Sequence, residues 1–595
     1  MCGILAGRRT RDLVDVVLSG LRALEYRGYD SAGVAVLTPG SELVDRRRST
    51  GRLADLEFRL LADPLPPGAV LGIGHTRWAT HGGISEGNAH PHCDCTGRVA
   101  VVHNGIVTNA AEIASLLVTR GHRLTSGVDS EVVAHLVKEE LDLGWDLAAA
   151  VRITTRRLEG SWALAVLAAG HDSVVLTARN SPLVVGTGQE GNAAASDPVA
   201  LVGTCEEVSF LDDDDLVELG EDVRWFDHHD LAVQRATTRL RWRPEQTGTG
   251  AHADRTAREI DEQADHAAEL VRTWVPSVRS GRVWDQLALP VPERVRFLAC
   301  GSSRHAAEVG ARVLRRLAGT PCEVTVASEH DPADQVPGEL TVAVSQSGET
   351  ADVLRALDAL PGPLLAVTNS PTSSLARRAD AVFDLGVGPE LGVAATKTFT
   401  AQVLAGVFLA LSSAVARGRL PRSSTAELLD ELSATPEALH RAGRLALHRA
   451  DELAERLAPQ PGFLFVARGA ALPYAAEGAL KLEELTYRWA QCHPAGEFKH
   501  GPLALVEPGT PVVVVEDGAA ALDTIVHEVS ARGADVLRVG WGEGCAFGVL
   551  DRPEPHAWGP LESIAALQHL ARTLAARLGR DVDRPRNLAK SVTVV

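Results

Sequence analysis

Leu13, Val17, Leu21 and Leu24 recur at spacings of three and four, which predicts an amphipathic helix near the start of the chain. Residues 99–102 form a short apolar run that stops at His103-Asn104-Gly105, the pattern of a strand entering a turn. As far as residue 240 the pattern mixes β-rich runs with a few helices. Around residues 245–254 it turns to Gly, Thr and polar side chains, the clearest linker signal in the chain.

From residue 290 onward the pattern becomes strand, small-residue turn, helix, and it repeats. The run 295–300 leads into Gly301-Ser302-Ser303 and an Ala-rich helical stretch; the run 463–467 leads into Gly469-Ala470-Ala471 and a similar stretch. Gly301 lies 28 positions before Glu329, and Gly469 lies 28 before Glu497. This internal repeat predicts two similar α/β domains, each with a mainly parallel sheet. In such sheets ligands sit beyond the carboxyl ends of the strands. The most apolar stretch, 400–416, is interrupted by Gln402, Ser412 and Ser413, which predicts a buried helix and not a membrane span.

At 595 residues the chain is too long for one hydrophobic core, so two to four domains are expected. The net charge of −18 argues against nonspecific binding to nucleic acid or an anionic membrane. It leaves an anionic substrate open, because backbone amides can hold a phosphate. Eight cysteines in so long a chain are no disulfide framework, and residues 1–20 lack the apolar core of a signal peptide. A cytoplasmic protein is expected.

Cys2 carries the first chemical signal. Removal of Met1 leaves an N-terminal cysteine whose free α-amine, titrating near pH ~8, can act as base for its own thiol. In His75-Thr76-Arg77-Trp78-Ala79-Thr80-His81-Gly82, the Arg77 guanidinium can grip a carboxylate at two points. Asn104-Gly105 offers a side-chain amide and a backbone N–H, a pair suited to an oxyanion hole. Asp129 can neutralise an ammonium. Together these groups are what hydrolysis of a free amino acid's side-chain amide requires.

With Leu24-Glu25-Tyr26-Arg27-Gly28-Tyr29-Asp30-Ser31-Ala32-Gly33 and Asn88-Ala89-His90-Pro91-His92, this half resembles the class II glutamine amidotransferase domain of the N-terminal nucleophile hydrolases. The resemblance implies that Cys2 attacks the amide of L-glutamine. It also implies that Arg77, Thr80, His81 and Asp129 hold the substrate, that Asn104 and Gly105 stabilise the oxyanion, and that Trp78 gates ammonia. His90, His92, Cys93 and Cys95 are metal ligands by type, but no second Cys/His pair follows at zinc-like spacing. No metal and no cofactor are expected.

In the second half, Ser345-Gln346-Ser347-Gly348-Glu349-Thr350 stands between an apolar run and a helical stretch, a phosphate cradle without fixed charge. Cys300-Gly301-Ser302-Ser303 supplies a second such turn. Lys481 and Glu484 are three apart on one helix face, which by itself reads as a surface ion pair. With Gly496-Glu497-Phe498-Lys499-His500-Gly501-Pro502-Leu503 and the tail Asp583-Arg584-Pro585-Arg586-Asn587-Leu588-Ala589-Lys590-Ser591-Val592-Thr593-Val594, these motifs resemble the isomerising glutamine–fructose-6-phosphate aminotransferase family over nearly the whole chain.

The resemblance implies a multidomain α/β protein: an αββα amidotransferase domain (2–219), a linker with connecting helices (220–279), two flavodoxin-like sugar isomerase domains (280–420 and 450–585) and a catalytic tail (586–595). Lys590 would form a Schiff base with open-chain fructose 6-phosphate, its pKa lowered by cationic neighbours and its tail anchored through Leu588. Glu484 would shuttle the proton, His500 would open the ring with Lys481 beside them, and Ser302, Ser303, Ser345, Gln346, Ser347 and Thr350 would hold phosphate and hydroxyls. Ammonia would travel by a closed passage, and a homodimer is expected. The sequence departs from the family at 253–264, at Ala394-Ala395-Thr396-Lys397 and at Gln491-Cys492-His493-Pro494. Those departures leave open a paralogue acting on a related ketose phosphate. A sugar-phosphate sensor and a phosphoribosyl transferase, the latter for residues 512–517, are the rival classes.

Overall fold

A computed structural model describes residues 2–592 apart from residues 10, 12, 80, 81, 241, 244, 245, 247, 335, 361, 519, 520 and 543. The chain divides into two compact units, Met1–Gly248 with Ser591–Val595, and Thr249–Lys590.

Among the described residues, the first unit holds an eight-stranded and a six-stranded sheet, both antiparallel. Strand Gly3–Arg9 lies inside the larger sheet, between Gly191–Ala195 and Leu71–Arg77. Ile4, Ala6, Ile73, Val102, Ala163 and Leu176 fill the space between the sheets. The predicted helix, Leu13–Leu24, buries Leu13, Val17, Leu21 and Leu24. Helices Glu131–Asp142 and Leu147–Thr155 cover the outer face of the smaller sheet with residues such as Val133, Leu136 and Val151. The result is four layers, αββα.

Strand Val99–Val107 runs straight through the turn expected at His103-Asn104-Gly105; those three residues pair with Leu164, Ala163 and Trp162. Polarity misled the reading, because the His103 ring is buried and bonded to Ser130 Oγ at 2.8 Å. Gly105 sits at φ +130°, and a Cβ there would lie 2.1 Å from the Ser161 carbonyl oxygen, so only glycine continues this strand. The segment 220–279 is no plain connector. Val223–Phe226 and Thr237–Arg239 add strands to the first unit, whereas helices Arg255–Asp261 and Gln263–Arg279 open the second.

The second unit contains two five-stranded parallel sheets of identical order, 2-1-3-4-5 in each set. The first runs Cys322–Val326, Val295–Ala299, Leu340–Val344, Leu364–Thr368, Ala381–Asp384. The second runs Trp489–Pro494, Gly462–Ala467, Pro511–Val515, Asp535–Gly540, Phe547–Gly548. The apolar stretch forms helix Lys397–Ala416, the helix among the described residues long and apolar enough to cross a membrane, and it is buried in the protein core. Its polar interruptions are satisfied there. Gln402 donates to Ser303 Oγ, Ser412 Oγ accepts from Val283 N, and Ser413 Oγ accepts from the Trp284 indole. Helix Arg422–Leu457 spans the stretch between the two sheets.

Candidate active sites

In the first unit, strand Gly3–Arg9 places Cys2 at its amino end, next to the carboxyl end of Leu71–Arg77. The Trp78 N–H donates to the Cys2 sulfur at 3.3 Å. Burial pushes the thiol up, and the Trp78 N–H and the Arg77 guanidinium offset this only in part. A thiol so placed needs a base to ionise it.

Asn104 Nδ2 donates to the Cys2 carbonyl oxygen at 2.9 Å, so the amide lies beside the nucleophile. Its orientation is set by His75, whose Nε2 is 3.0 Å from Asn104 Oδ1 and 3.1 Å from the His103 carbonyl. Burial pulls His75 down to about 3, so the ring is neutral and Nε2 carries its proton toward these two acceptors. His75 thus positions Asn104, a role that sequence reasoning missed although it quoted the residue; only the contact to Asn104 reveals it.

Arg77 is buried, its guanidinium reaching the carbonyls of Gly82 and Gly83 at 3.4 Å. Burial lowers it, while the charges of Cys2, Asp30 and Asp129 act the other way, so clamp and carboxylates share one neighbourhood. Asp129 accepts from Val107 N at 2.7 Å. The Trp78 ring stands edge-on to Tyr29, centroids 5.5 Å apart. Thr80 and His81 lie outside the described residues. His90 and His92 turn inward beside His75, the His75 and His90 rings stacked at 4.2 Å.

In the second unit, the switch point of the first sheet falls between Val295–Ala299 and Leu340–Val344. The two hydroxyl-rich turns emerge there. Ser345 Oγ and Thr350 Oγ1 are 2.9 Å apart, Ser345 Oγ accepts from Gly348 N at 3.1 Å, and Ser347 Oγ accepts from Glu349 N at 3.1 Å. The Gln346 carbonyl is anchored by Asn369 N. Gly348 sits at φ +64° with Ser373 packed where a Cβ would be, which keeps the loop tight.

Helix Leu472–Thr486 of the second half brings its polar face against this turn. The expected surface pair is drawn inward: Lys481, 1% exposed, contacts half-buried Glu484, lies 3.5 Å from Glu477 and donates to Ser302 Oγ at 3.2 Å. Glu477 in turn meets His305 Nδ1 at 2.8 Å. Burial favours the neutral amine, yet Glu484 and Glu477 hold Lys481 charged. Burial, reinforced by Glu477, pushes Glu484 above the usual carboxylate range against the pull of Lys481. A carboxyl raised in this way holds a proton more tightly than an ordinary carboxylate, which suits proton transfer.

Two other cations share carboxylate neighbours with Lys590: Lys397 acts with it on Glu259, and Lys481 acts with it on Glu484, yet the closest partner is an acid that opposes any lowering by those cations at Lys590. The Lys590 ammonium is paired at 2.5 Å with Glu390, which is fully buried and also accepts from the N–H groups of Thr396 and Thr398 at 3.0 Å. Against the upward pull of burial, Lys590 and these amides hold Glu390 low. Burial and Glu390 push neighbouring Glu259 up. The tail is held less by half-buried Leu588 than by Asp583, which accepts from Arg255 N and Thr256 N, and by Tyr487, whose hydroxyl accepts from Arg586 N. His500 is exposed on the turn Glu497–His500, and no bond among the described residues ties it to Lys481 or Glu484. Residues 512–515 are buried strand, and Glu516 beyond them pairs with Arg538, so among the described residues this carboxylate is taken up by an internal partner.

An αββα unit headed by Cys2, joined to paired parallel sheets with a hydroxyl-lined switch point, defines a glutamine amidotransferase coupled to a sugar isomerase module. Family comparison agrees: residues 75–203 match the glutamine amidotransferase domain, and residues 289–412 and 457–539 match the SIS domain. The chain is 40% identical to glutamine–fructose-6-phosphate aminotransferases (isomerizing) of Pseudomonas putida, Halobacterium salinarum and Thermus thermophilus, covering 100% of both chains in each case. It belongs to the isomerising glutamine–fructose-6-phosphate aminotransferase family.

Proposed function

We propose that this chain makes glucosamine 6-phosphate from fructose 6-phosphate and L-glutamine, releasing glutamate. The observation that carries this reading is the cluster in which Lys481 bridges Ser302 and Glu484 while Lys590 stands paired with Glu390. A phosphate turn, a raised carboxyl and a buried amine are what amination at C2 followed by a proton shift needs.

In this reading Cys2 takes the acyl group of glutamine, and Asn104 and Gly105 stabilise the oxyanion. Arg77 and Asp129, with Thr80 and His81, hold the α-groups. Ammonia passes Trp78 without meeting bulk water. Lys590 passes a proton to Glu390, and the freed amine attacks C2 of the open-chain ketose and expels water to form an imine. Ammonia then displaces the lysine. Glu484 moves a proton from C1 to C2 while the C1 hydroxyl proton passes to the imine nitrogen, which yields the aldehyde of the amino sugar. Ser303, Ser345, Gln346, Ser347 and Thr350 hold the phosphate and hydroxyls, and His500 opens the ring. Because His500 stands exposed on a single chain, the working form is a cytoplasmic homodimer whose second copy covers it.

The test is product identification by mass spectrometry with glutamine and fructose 6-phosphate. Equimolar glutamate and glucosamine 6-phosphate are expected. Glutamine consumption without amino sugar, or turnover of another ketose phosphate alone, overturns the reading.

A further inference from the structure

The first unit holds a group of side chains that the amidase chemistry leaves unused. Cys95 follows strand His92–Cys93, His122 follows helix Ala110–Thr119, and His135 lies on helix Glu131–Asp142. The Cys95 sulfur is 4.0 Å from His122 Nδ1, and the two Nδ1 atoms face each other at 2.9 Å. One ligand atom from each residue lies within 4.8 Å of the others.

The outer nitrogens bias the tautomers. His122 Nε2 faces Glu139 Oε1 at 3.4 Å, and His135 Nε2 faces Glu131 Oε1 at 3.8 Å. Glu131 is an ionised acceptor, taking bonds from the N–H and hydroxyl groups of Thr125 and Ser126. Glu139 likewise accepts from Arg120. An imidazole nitrogen that faces a carboxylate carries the proton. Without a cation the 2.9 Å Nδ1–Nδ1 contact is a hydrogen bond that holds one proton; a cation that displaces this proton leaves both Nε2 atoms as N–H and both Nδ1 lone pairs aimed at the space beside the thiol. His135 is fully buried, and at 3.8 Å its Nε2 is too far from Glu131 for a hydrogen bond, so that carboxylate favours the Nε2 proton through its charge.

We infer that Cys95, His122 and His135 form a binding site for a zinc-class divalent cation, with Glu139 and Glu131 orienting the two imidazoles. Tetrahedral zinc separates two ring nitrogens by about 3.4 Å and a nitrogen from a sulfur by about 3.6 Å. The Nδ1 atoms, 2.9 Å apart, must separate by about half an ångström, which half-buried His122 can supply from its loop, and the exposed Cys95 must move inward from its place 4.0 Å from His122 and within 4.8 Å of His135. The fourth position faces solvent beside Cys95 and takes water. The site clamps two loops onto helix Glu131–Asp142, whose first turn follows Asp129 directly. Its occupation therefore stabilises the segment that carries Asp129.

The test is titration of metal-free full-length protein with cobalt(II), followed by zinc competition. One equivalent is expected to produce a thiolate-to-cobalt charge-transfer band with tetrahedral visible bands, and zinc should abolish both while raising the melting temperature. Cys95→Ser should remove the charge-transfer band, and Glu139→Gln should weaken binding about 10- to 100-fold. Cys2→Ala and Cys93→Ser should leave the band intact. An absent band, a band that survives Cys95→Ser, or one lost with Cys2→Ala overturns the site. Circular dichroism and the glutaminase rate of Cys95→Ser, unchanged without metal, establish that the variant is folded.

Discussion

The two parallel sheets of the second unit share strand order and spacing, yet their loops diverge in chemistry. After its first strand, the leading sheet presents Ser302 and Ser303, where the trailing sheet presents Ala470 and Ala471. After the third strand come Ser345 to Thr350 in one, and Glu516-Asp517-Gly518 in the other. Glu516 is committed to Arg538 and to Trp541 N, so the second switch point is closed by a carboxylate that repels an anion. What the second sheet contributes instead is the helix Leu472–Thr486, whose Lys481 reaches Ser302 in the first sheet's turn and holds Glu484 beside it. The two sheets share a strand order, and the hydroxyl-rich turns occur in one of them alone among the described residues.

The largest effect expected along this division comes from the tail. Lys590→Arg keeps the charge beside Glu390 but cannot form an imine, so amino-sugar synthesis should fall by at least about 10³-fold while glutamine hydrolysis persists. Borohydride with fructose 6-phosphate should label Lys590 in the parent protein alone. Normal synthesis by the variant would reject the Schiff-base role.

Next in size is the contrast between the loops themselves. Ser345→Ala combined with Thr350→Val removes a hydroxyl pair 2.9 Å apart and should raise KM for the sugar phosphate about 10- to 100-fold. Glu516→Gln in the other sheet should leave KM alone. Equal effects at both loops would mean that the sheets share the phosphate.

A smaller effect, on pH dependence, separates the two roles again. Glu484 must be ionised to accept a proton, and its raised pKa moves the acid limb of kcat above the ordinary carboxylate value of 4.5. The hydroxyl loop has no group that titrates there, so KM should lack this limb. For stability, a carboxyl raised on folding contributes most below its unfolded pKa, and the contribution is lost as pH rises through the folded value. Glu484→Gln should therefore lessen the decline in melting temperature between those two values. A kcat limb at or below 4.5 would contradict the assignment.

The smallest effect should be the stability cost of Glu516→Gln. Its partner Arg538 is 37% exposed, so weakening that pair should cost about 1 kcal/mol or less in thermal or urea unfolding. A loss several times larger would show that Glu516 carries more of the second sheet than its bonds imply.

Much of this protein was written in local pattern. The three-to-four apolar spacing at Leu13–Leu24, the repeat 28 residues apart and the hydroxyl-rich turns depend only on near neighbours, and the helix and both sheets appear where that pattern lies. Other features depend on what comes from far along the chain. Asn104 and Gly105 read as a turn because their polar character is local, whereas the buried partners of His103 and the close carbonyl of Ser161 keep them in a strand. Lys481 and Glu484 read as a surface pair until helix packing draws Lys481 in against Ser302, 179 positions away. Lys590 was expected among cations, and only the fold shows that its direct partner is Glu390, 200 positions away. Spacing within the chain also hid His122 and His135 from Cys95. Sequence determines which groups are available and which elements they ride on. Tertiary packing alone decides which charges meet, because burial removes the water that would otherwise keep them independent.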